Sequence, residues 1–316
     1  MTDGQSGLNV HAGNAATPSG RIFISGGTGF VGGNLRQALA GRPLRLLVRD
    51  PAAYHSLDSP DLELATGDVT RAESLRGALD GCDTVIHLVA IIAESGGATF
   101  DGVIRQGTEN VLAEAKAAGV HRFILMSAMG AQDNPAFPYL KAKWGAEQAV
   151  KAGGIPWTIF RPSVIFGPGD GFINVLADLV RGFPIIPVVG SGNSKFQPVA
   201  VGEVARAFVR AVDDPDTAGE IYELGGPEIL TYETMLDTIA AKLGKRKRKI
   251  HVPVGLMKPV VALSKPLPKA LRPPVTEEQL KMLALDNCTD HSATSELIGR
   301  QPTRLQDGID YILRRR

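Results

Sequence analysis

The chain has 316 residues, of which 44% are hydrophobic and 21% are charged, with 36 glycines and two cysteines. This composition excludes a disordered chain, a collagen-like repeat and a small disulfide-stabilised scaffold. The 34 basic and 33 acidic residues leave a formal charge of +1, so no overall field attracts the whole chain to nucleic acid or anionic lipid.

Residues 1–20 are small and polar and lack the charged and apolar parts of a secretion signal, so we expect a flexible leader. No apolar run approaches the roughly 20 residues of a membrane-spanning helix. Cys82 and Cys288 show no metal-ligand spacing and are expected to be reduced thiols, which favours a cytoplasmic protein. The six histidines also lack metal-binding spacing, so no metal site is predicted.

From Arg21 to Arg161, short apolar runs alternate with helical patterns, which predicts a doubly wound parallel α/β sheet with crossover helices. The expected strands are RIFIS, LRLLVR, LELAT, DTVIHLV, RFILMS and WTIFR. After Pro162, proline and glycine crowd the loops, but the patterns VGEVARAFVRAV and EIYELGG are expected to return to the main sheet. We therefore predict a main domain over residues 21–161 and a smaller C-terminal lobe over residues 162–316, with its segments interleaved with the last elements of the main domain.

Three glycines, Gly26, Gly29 and Gly32, follow the first predicted strand and open the first helix. In such a turn the first glycine permits the tight bend, the second lets backbone approach a pyrophosphate, and the third allows close helix–strand packing. The helix N-terminus offers unpaired N–H groups to the phosphates. Because the motif starts a βαβ series, we predict that residues 21–161 form a Rossmann domain that binds NAD(P).

The end of the second strand selects the dinucleotide, because an acidic side chain there accepts hydrogen bonds from a ribose 2′-hydroxyl whereas an arginine pairs with a 2′-phosphate. Arg49 comes first after LRLLV and Asp50 follows it. The planar guanidinium favours NADP(H), and Asp50 keeps NAD(H) open as the alternative. Asp68 and Val69 follow the third strand, from which a carboxylate is expected to reach the adenine. The remaining predicted cofactor contacts are Thr28, Phe30, Val31, Leu88, Ala90, Lys143, Arg161 and Pro162.

Tyr139 and Lys143 are four residues apart in a helical pattern, so both project from one helix face. A neighbouring ammonium favours the phenolate and lowers the pKa of a tyrosine from its ordinary value of about 10, which suits acid/base chemistry near neutrality. Ser127 ends the run RFILM and is expected at the carboxyl edge of its strand, where its hydroxyl holds a substrate oxygen. The joint occurrence of these residues after the glycine turn predicts a catalytic group.

These motifs, GGTGFVGGNL, TGDV, Ser127 with Tyr139 and Lys143, and RPSVIFGPGDGFIN, resemble those of the short-chain dehydrogenase/reductase superfamily, in its extended or atypical branch of NAD-dependent epimerase/dehydratase-like proteins. The resemblance implies that the tyrosine is the catalytic acid/base, that the lysine lowers the pKa of the tyrosine and binds the nicotinamide ribose, and that the serine positions the substrate carbonyl. Asn110 matches the asparagine that completes this group. Met126 replaces one hydroxyl of the family's usual Ser/Thr-Ser pair, which leaves Ser127 alone to orient a substrate.

The segments YLKAKWGAE, FQPVAVGEVARAF and PPVTEEQLKMLALDN are more closely similar to bacterial relatives of the NADPH-binding accessory subunit of mitochondrial complex I. That resemblance implies an NADPH carrier without turnover. Three functions therefore stay open: an NADP(H)-dependent oxidoreductase acting on a small-molecule carbonyl or alcohol, a non-catalytic NADPH-binding scaffold or assembly factor of a respiratory complex, and a nucleotide-sugar epimerase/dehydratase.

Five consecutive basic residues, Lys245 to Lys249, precede the apolar, proline-broken stretch VPVGLMKPVVALSKPLP. Cations suit the C-terminal end of a helix, and such a run also fits contact with anionic lipid headgroups or an acidic protein face. No aromatic residues are interleaved with the charges, which disfavours nucleic acid. We expect a cytoplasmic protein, with peripheral association at the inner face of the cytoplasmic membrane or with a respiratory complex as an open alternative.

Overall fold

The computed structural model describes residues 20–57, 59–253 and 277–314. The predicted leader up to residue 19 and most of the proline-broken stretch after Lys249 lie outside these residues.

The strands are short, as expected for a parallel sheet whose strands are connected by helices. They are β1 (Arg21–Ser25), β2 (Leu44–Val48), β3 (Leu62–Thr66), β4 (Cys82–His87), β5 (Arg122–Met126), β6 (Trp157–Pro162), β7 (Ile165–Phe166), β8 (Ile185–Val189), β9 (Lys195–Phe196), β10 (Val199–Ala200), β11 (Glu220–Leu224), β12 (Leu230–Thr231) and β13 (Arg248–Val252). The helices are α1 (Phe30–Ala38), α2 (Gly107–Ala117), α3 (Pro138–Lys151), α4 (Ile173–Gly182), α5 (Val201–Asp213), α6 (Tyr232–Lys242), α7 (Glu277–Met282), α8 (Thr294–Ile298) and α9 (Leu305–Gly308).

Seven of the strands form one sheet in the order β11-β6-β5-β4-β1-β2-β3, and every neighbouring pair is parallel. This order confirms the predicted doubly wound α/β fold, because the chain winds outward from β1 in both directions. The carboxyl ends of β1, β4, β5 and β6 therefore meet at one edge of the sheet, and any ligand site at that edge draws residues from several separate segments.

Side chains alternate across the sheet and fill two cores. Ile22 and Ile24 of β1 belong to the core beneath α1 and α5, whereas Phe23 belongs to the core beneath α2 and α3. The period of two in these buried residues is the consequence of strand geometry. A π-helical turn, Asp101–Gln106, runs directly into α2.

The smaller lobe has its own core, formed by residues of α4, β8 and α6. It contains three two-stranded sheets, β7 with β10, β9 with β12, and β8 with β13. Residues 277–314 contact both parts of the molecule. The Asn287 amide oxygen accepts from Ser163 at 2.7 Å, and Glu203 of α5, which is 1% exposed, accepts from Arg300 and Thr303. Among the described residues, no helix combines the length and apolarity that crossing a membrane requires.

Candidate functional site

Two glycines of the turn after β1, Gly26 and Gly32, occupy positions that do not accept a side chain. Gly26 has a φ of +79°, a left-handed conformation that favours glycine. A Cβ at Gly32 would lie 2.3 Å from the carbonyl oxygen of Gly26, so the third glycine allows the first turn of α1 to pack directly on the loop. The geometry is that of a backbone cradle that leaves space for a ligand above it.

Helix α1 begins directly behind this cradle. Its N-cap, Gly29, offers no side chain to the first N–H groups, and no acidic residue lies in the first turn. The positive end of the helix dipole and its unpaired N–H groups are therefore available to an anion such as a pyrophosphate.

A cavity of about 810 Å³ opens at the cradle, within the size range of cofactor sites. Eight of the predicted cofactor residues line it, namely Gly26, Thr28, Gly29, Arg49, Asp68, Val69, Leu88 and Ala90. The other predicted contacts are outside its lining: Phe30, Val31, Gly32, Lys143, Arg161 and Pro162. Val31 is buried in the core, and the ring of Phe30 lies beside Gly167 and Gly169 of the loop after β7.

The two side chains that follow β2 differ in their partners. The Asp50 carboxylate accepts from the Ala52 N–H at 3.0 Å, so it caps the short helical turn after the strand. Arg49 is exposed and lines the cavity, and no described residue forms a hydrogen bond or ion pair with its guanidinium. Asp50 is also exposed and lines the cavity, so both side chains face the ligand space.

Asp68 is held in place by its neighbour. Its carboxylate accepts from the N–H of Thr70 at 2.9 Å and from the hydroxyl of Thr70 at 2.7 Å. Partial burial opposes ionisation, but these hydrogen bonds and the charges of Arg49 and Arg71 outweigh it and hold the pKa of Asp68 below its ordinary value. The Asp68 carboxylate is therefore ionised at neutral pH and lines the cavity.

Helix α3 turns one face toward β5 and carries the predicted pair on it. Lys143 is 2% exposed and donates to the carbonyl oxygen of Met126 at 2.7 Å; burial lowers its pKa to about 8. The ring of Tyr139 meets that of Phe100 edge-on at 5.7 Å, and burial raises the pKa of Tyr139 to about 12. The pKa of Tyr139 therefore shifts upward, whereas the sequence predicted a downward shift. The Lys143 ammonium is directed at the backbone of β5, so burial of the phenol determines the shift.

Ser127 is 3% exposed and donates to the carboxylate of Glu147 at 2.5 Å. The same carboxylate, which is fully buried, accepts two hydrogen bonds from Arg161, at 2.8 and 2.6 Å. Arg161 also lies 3.9 Å from Glu223 of β11. These contacts connect β5, α3, β6 and β11, so the network fixes the helix that carries Tyr139 and Lys143 on the sheet.

Asn110 lies apart from this network. Its amide donates to the carbonyl oxygen of Val69 at 2.8 Å, and Gln106 donates weakly to it at 3.4 Å. Asn110 therefore holds the loop after β3, which forms part of the cavity wall.

Several residues of the site were not predicted. Glu147 is one: it follows Lys143 by four residues and Tyr139 by eight, so helical spacing on one buried face was an available signal. Tyr54 and the segment Gly96–Thr99 also line the cavity, and their only signal was the position of their loops after strands. His87, at the end of β4, is 1% exposed, bonds to Ser25 and has its pKa lowered by burial to about 3, so the ring is neutral. The described residues contain no cluster of side chains suited to a metal ion.

Comparisons with known proteins agree with this geometry. A family model described as NAD(P)H-binding matches residues 26–215. The chain is 30% identical over 251 residues to the Arabidopsis thaliana protein named NADH dehydrogenase (ubiquinone) 1 alpha subcomplex subunit 9, mitochondrial, a match over 76% of this chain and 62% of that protein. It is also 30% identical over 272 residues to the 3 beta-hydroxysteroid dehydrogenase/Delta 5-->4-isomerase of Mycobacterium tuberculosis, over 75% of this chain and 73% of that protein.

A solved structure of a nucleoside-diphosphate-sugar epimerase from Staphylococcus aureus superimposes with a TM-score of 0.73 at 20% identity, over 92% of this chain and 99% of that one. Similarity at this level of identity shows a shared fold. The chain spans 62% of the length of the plant relative.

Proposed function

The chain belongs to the NAD(P)H-binding family, and from this premise we propose that it is an NADP(H)-dependent oxidoreductase of the short-chain dehydrogenase/reductase type. It would transfer hydride between the nicotinamide and a carbonyl or alcohol carbon of a small molecule. The observation that carries the proposal is the joint position of Tyr139 and Lys143 on the face of α3 that meets the carboxyl end of β5, at the same edge of the sheet as the glycine cradle.

The residues at the cavity fit a dinucleotide. The cradle of Gly26 and Gly29 and the open N-terminus of α1 suit the pyrophosphate. Support for NADP(H) over NAD(H) comes from Arg49, whose unpaired guanidinium lines the cavity and matches a 2′-phosphate. Asp50 lines the cavity as well and keeps NAD(H) as the alternative.

The bound cofactor supplies a hydride at C4 of its nicotinamide. Tyr139 then acts as the acid: its pKa of about 12 keeps the phenol protonated at neutral pH, ready to donate to the oxygen of a carbonyl as that oxygen gains negative charge. Lys143 would bring a positive charge to the nicotinamide end of a bound cofactor, and Ser127 would meet a substrate oxygen only after it turns from Glu147.

An apolar substrate is favoured by one of the relatives. The Mycobacterium tuberculosis relative is named as a dehydrogenase of 3 beta-hydroxysteroids. We therefore expect ketones or alcohols on a largely hydrocarbon frame.

A scaffold that holds NADPH without turnover is the second candidate, and the engagement of Ser127 favours it. The hydroxyl is committed to a buried carboxylate, and neither neighbour, Met126 nor Ala128, carries a hydroxyl. The plant relative is named as a subunit of a respiratory dehydrogenase. In this role the chain would associate with a respiratory complex at the inner face of the cytoplasmic membrane.

Steady-state reduction of a panel of apolar ketones, including 3-ketosteroids, tests the first proposal, with loss of NADPH absorbance as the readout. We expect Tyr139→Phe to lower kcat by about 100-fold or more and to leave the NADPH dissociation constant within about twofold of wild type, because removal of one hydroxyl takes away the acid and leaves the cradle intact. Tyr222→Phe is the matched control, because it also removes one phenol hydroxyl. The Tyr222 ring stacks on Phe160 in the core, and this variant should keep wild-type turnover. Unchanged turnover in Tyr139→Phe would refute the role of Tyr139. Stoichiometric NADPH binding without reduction of any ketone would replace the enzyme by the scaffold.

A further inference from the structure

The outer side of the β8–β13 sheet carries apolar side chains in an exposed position. Six large hydrophobic side chains stand exposed among the described residues, and three of them lie here: Phe183 at 52%, Ile185 at 41% and Ile250 at 54% exposure. Such clustering sets this face apart from the rest of the described surface, where exposed apolar side chains are scattered singly.

The register of the two strands explains the grouping. Ile185 pairs with Arg248 and Pro187 pairs with Ile250, so these four side chains share one face of the parallel pair. The alternate residues Ile186 and Val188 point into the core of the lobe.

Cations surround the apolar side chains, and the structure separates those with structural partners from those without. Lys245 donates to the carbonyl oxygen of Arg181 at 3.2 Å and Lys247 donates to that of Phe183, so both cap the C-terminal end of α4. Lys249 pairs with Asp237 at 2.7 Å and with Glu233 at 3.1 Å.

Arg246 and Arg248 are the two cations of the basic run for which the described residues provide no partner. Both are exposed, and neither forms an ion pair or hydrogen bond with a described residue. Between Thr238 and Thr276 the sequence contains no aspartate or glutamate, so no carboxylate of that segment offsets the two guanidinium groups.

A cavity of about 500 Å³ opens beside these residues at the C-terminal end of α6. Its lining combines the small residues Ala240, Ala241 and Gly244 with Lys245, Arg246 and Lys247. One carboxylate, that of Asp237, is also part of the lining, and Lys249 already neutralises it. The opening is therefore electropositive and has room for an anionic headgroup.

We propose that this face, the β8–β13 docking surface formed by Phe183, Ile185, Ile250, Arg246 and Arg248, binds an anionic lipid bilayer. The apolar side chains enter the headgroup–acyl boundary and the two arginines pair with lipid phosphates, as in other surfaces that combine apolar and basic side chains. An acidic protein face would satisfy the arginines alone, whereas a bilayer also covers the three apolar side chains. The surface shares no residue with the lining of the dinucleotide cavity, so the inference is independent of the proposed function.

Co-sedimentation of the full chain with vesicles tests the proposal, using phosphatidylcholine alone and phosphatidylcholine mixed with phosphatidylglycerol. The wild type should sediment with the anionic vesicles only, and the binding should weaken as salt is raised. Arg246→Glu with Arg248→Glu should weaken binding at least tenfold, because each basic residue near the surface contributes to attraction by an anionic leaflet. Ile185→Ser with Ile250→Ser should also weaken it severalfold at unchanged charge.

Arg76→Glu with Arg206→Glu is the matched control, since both arginines are exposed but lie on the main domain; it should bind vesicles as the wild type does. NADPH binding of every variant, measured in parallel, should stay at the wild-type level, so loss of vesicle binding and failure of the cofactor site are separate results. No binding of the wild type to anionic vesicles, or unchanged binding by both double variants of the docking surface, would overturn the proposal. Capture of an acidic polypeptide such as polyglutamate in place of anionic vesicles would overturn it as well.

Discussion

The two ends of the candidate site are built by different means. At the nucleotide end, backbone and exposed side chains surround the cavity: the glycine cradle, the open N-terminus of α1, and Arg49. At the α3 end, long buried side chains interlock, and Glu147 at 0% exposure joins Ser127 to Arg161. The nucleotide end is accessible from solvent. The α3 end is fixed by a buried ion pair, and separating its charges would cost several kcal/mol of stability.

This difference predicts which property of the protein a substitution at each end changes. We expect a residue of the nucleotide end to affect cofactor affinity and selectivity, because it faces the cavity. A residue of the buried network affects the position of α3 and the stability of the fold, because it faces other protein groups. Substitutions at the two ends should therefore separate binding from stability.

The largest effect is expected at the buried end. Glu147→Ala leaves the Arg161 guanidinium and the Ser127 hydroxyl without their partner, and we expect a loss of about 3–5 kcal/mol in the free energy of unfolding, measured by urea denaturation. Glu109→Ala is the control: Glu109 also pairs with an arginine, at 2.7 Å, but is 36% exposed, so its loss should stay below about 1 kcal/mol. Equal losses of unfolding free energy in the two variants would show that burial of the network does not increase its contribution to stability.

At the glycine cradle, two adjacent glycines offer a matched pair. Gly32→Ala would bring a Cβ to 2.3 Å from a backbone oxygen and should cost about 1–3 kcal/mol of stability together with a weaker affinity for NADPH. Gly33→Ala meets only the end of the Arg36 side chain, at 4.0 Å, and should stabilise α1 by about 0.5–1 kcal/mol. Thermal unfolding with and without NADPH measures both, and similar behaviour of the two variants would contradict the cradle geometry.

Cofactor selection should depend on Arg49. Arg49→Met removes the exposed guanidinium from the cavity, and we expect NADPH affinity to fall about tenfold, or about 1.4 kcal/mol, with NADH affinity nearly unchanged. Calorimetric titration with each nucleotide gives both constants. Arg76→Met, at an exposed arginine outside the cavity lining, serves as the control. A parallel loss of NADPH and NADH affinity in Arg49→Met would contradict a contact with the 2′-phosphate.

A further effect concerns the pH dependence of stability. Burial lowers the pKa of Lys143 from 10.5 to about 8, so between these values the unfolded chain binds more protons than the folded one, and the contribution of this group to stability rises with pH. Relative to Lys143→Met, the wild type should gain about 1 kcal/mol per pH unit in this window, measured by urea denaturation. Lys141→Met, at a lysine whose side chain is 49% exposed, should show no such trend. If the difference in unfolding free energy between the wild type and Lys143→Met stayed constant with pH, it would contradict the lowered pKa of Lys143.

The nucleotide end could be predicted from the sequence because its signals are local. Gly26, Gly29 and Gly32 occupy one turn, and Arg49 directly follows a strand. The spacing of Tyr139 and Lys143 was also sufficient to place both on one helix face.

The contacts of the α3 end could not be predicted, because they join distant segments. Glu147 and Arg161 lie on α3 and β6, and nothing in their separation along the chain shows that they form a pair. The predicted lowering of the Tyr139 pKa was wrong because it depended on where the Lys143 ammonium points, and that is set by the carbonyl of Met126. The partner of Asn110, the backbone of Val69, depends in the same way on how α2 packs against the loop after β3.

Transfer of a deuterium label tests the central claim most directly. The purified chain would be incubated with NADPH that carries deuterium at the transferable C4 position and with the panel of apolar ketones, and the products analysed by mass spectrometry. The account predicts an alcohol that carries one deuterium on its carbinol carbon with the wild type, and none with Tyr139→Phe. Labelled NADPH that binds the wild-type chain but is recovered unreacted with every ketone would contradict the oxidoreductase account and leave the NADPH scaffold in its place.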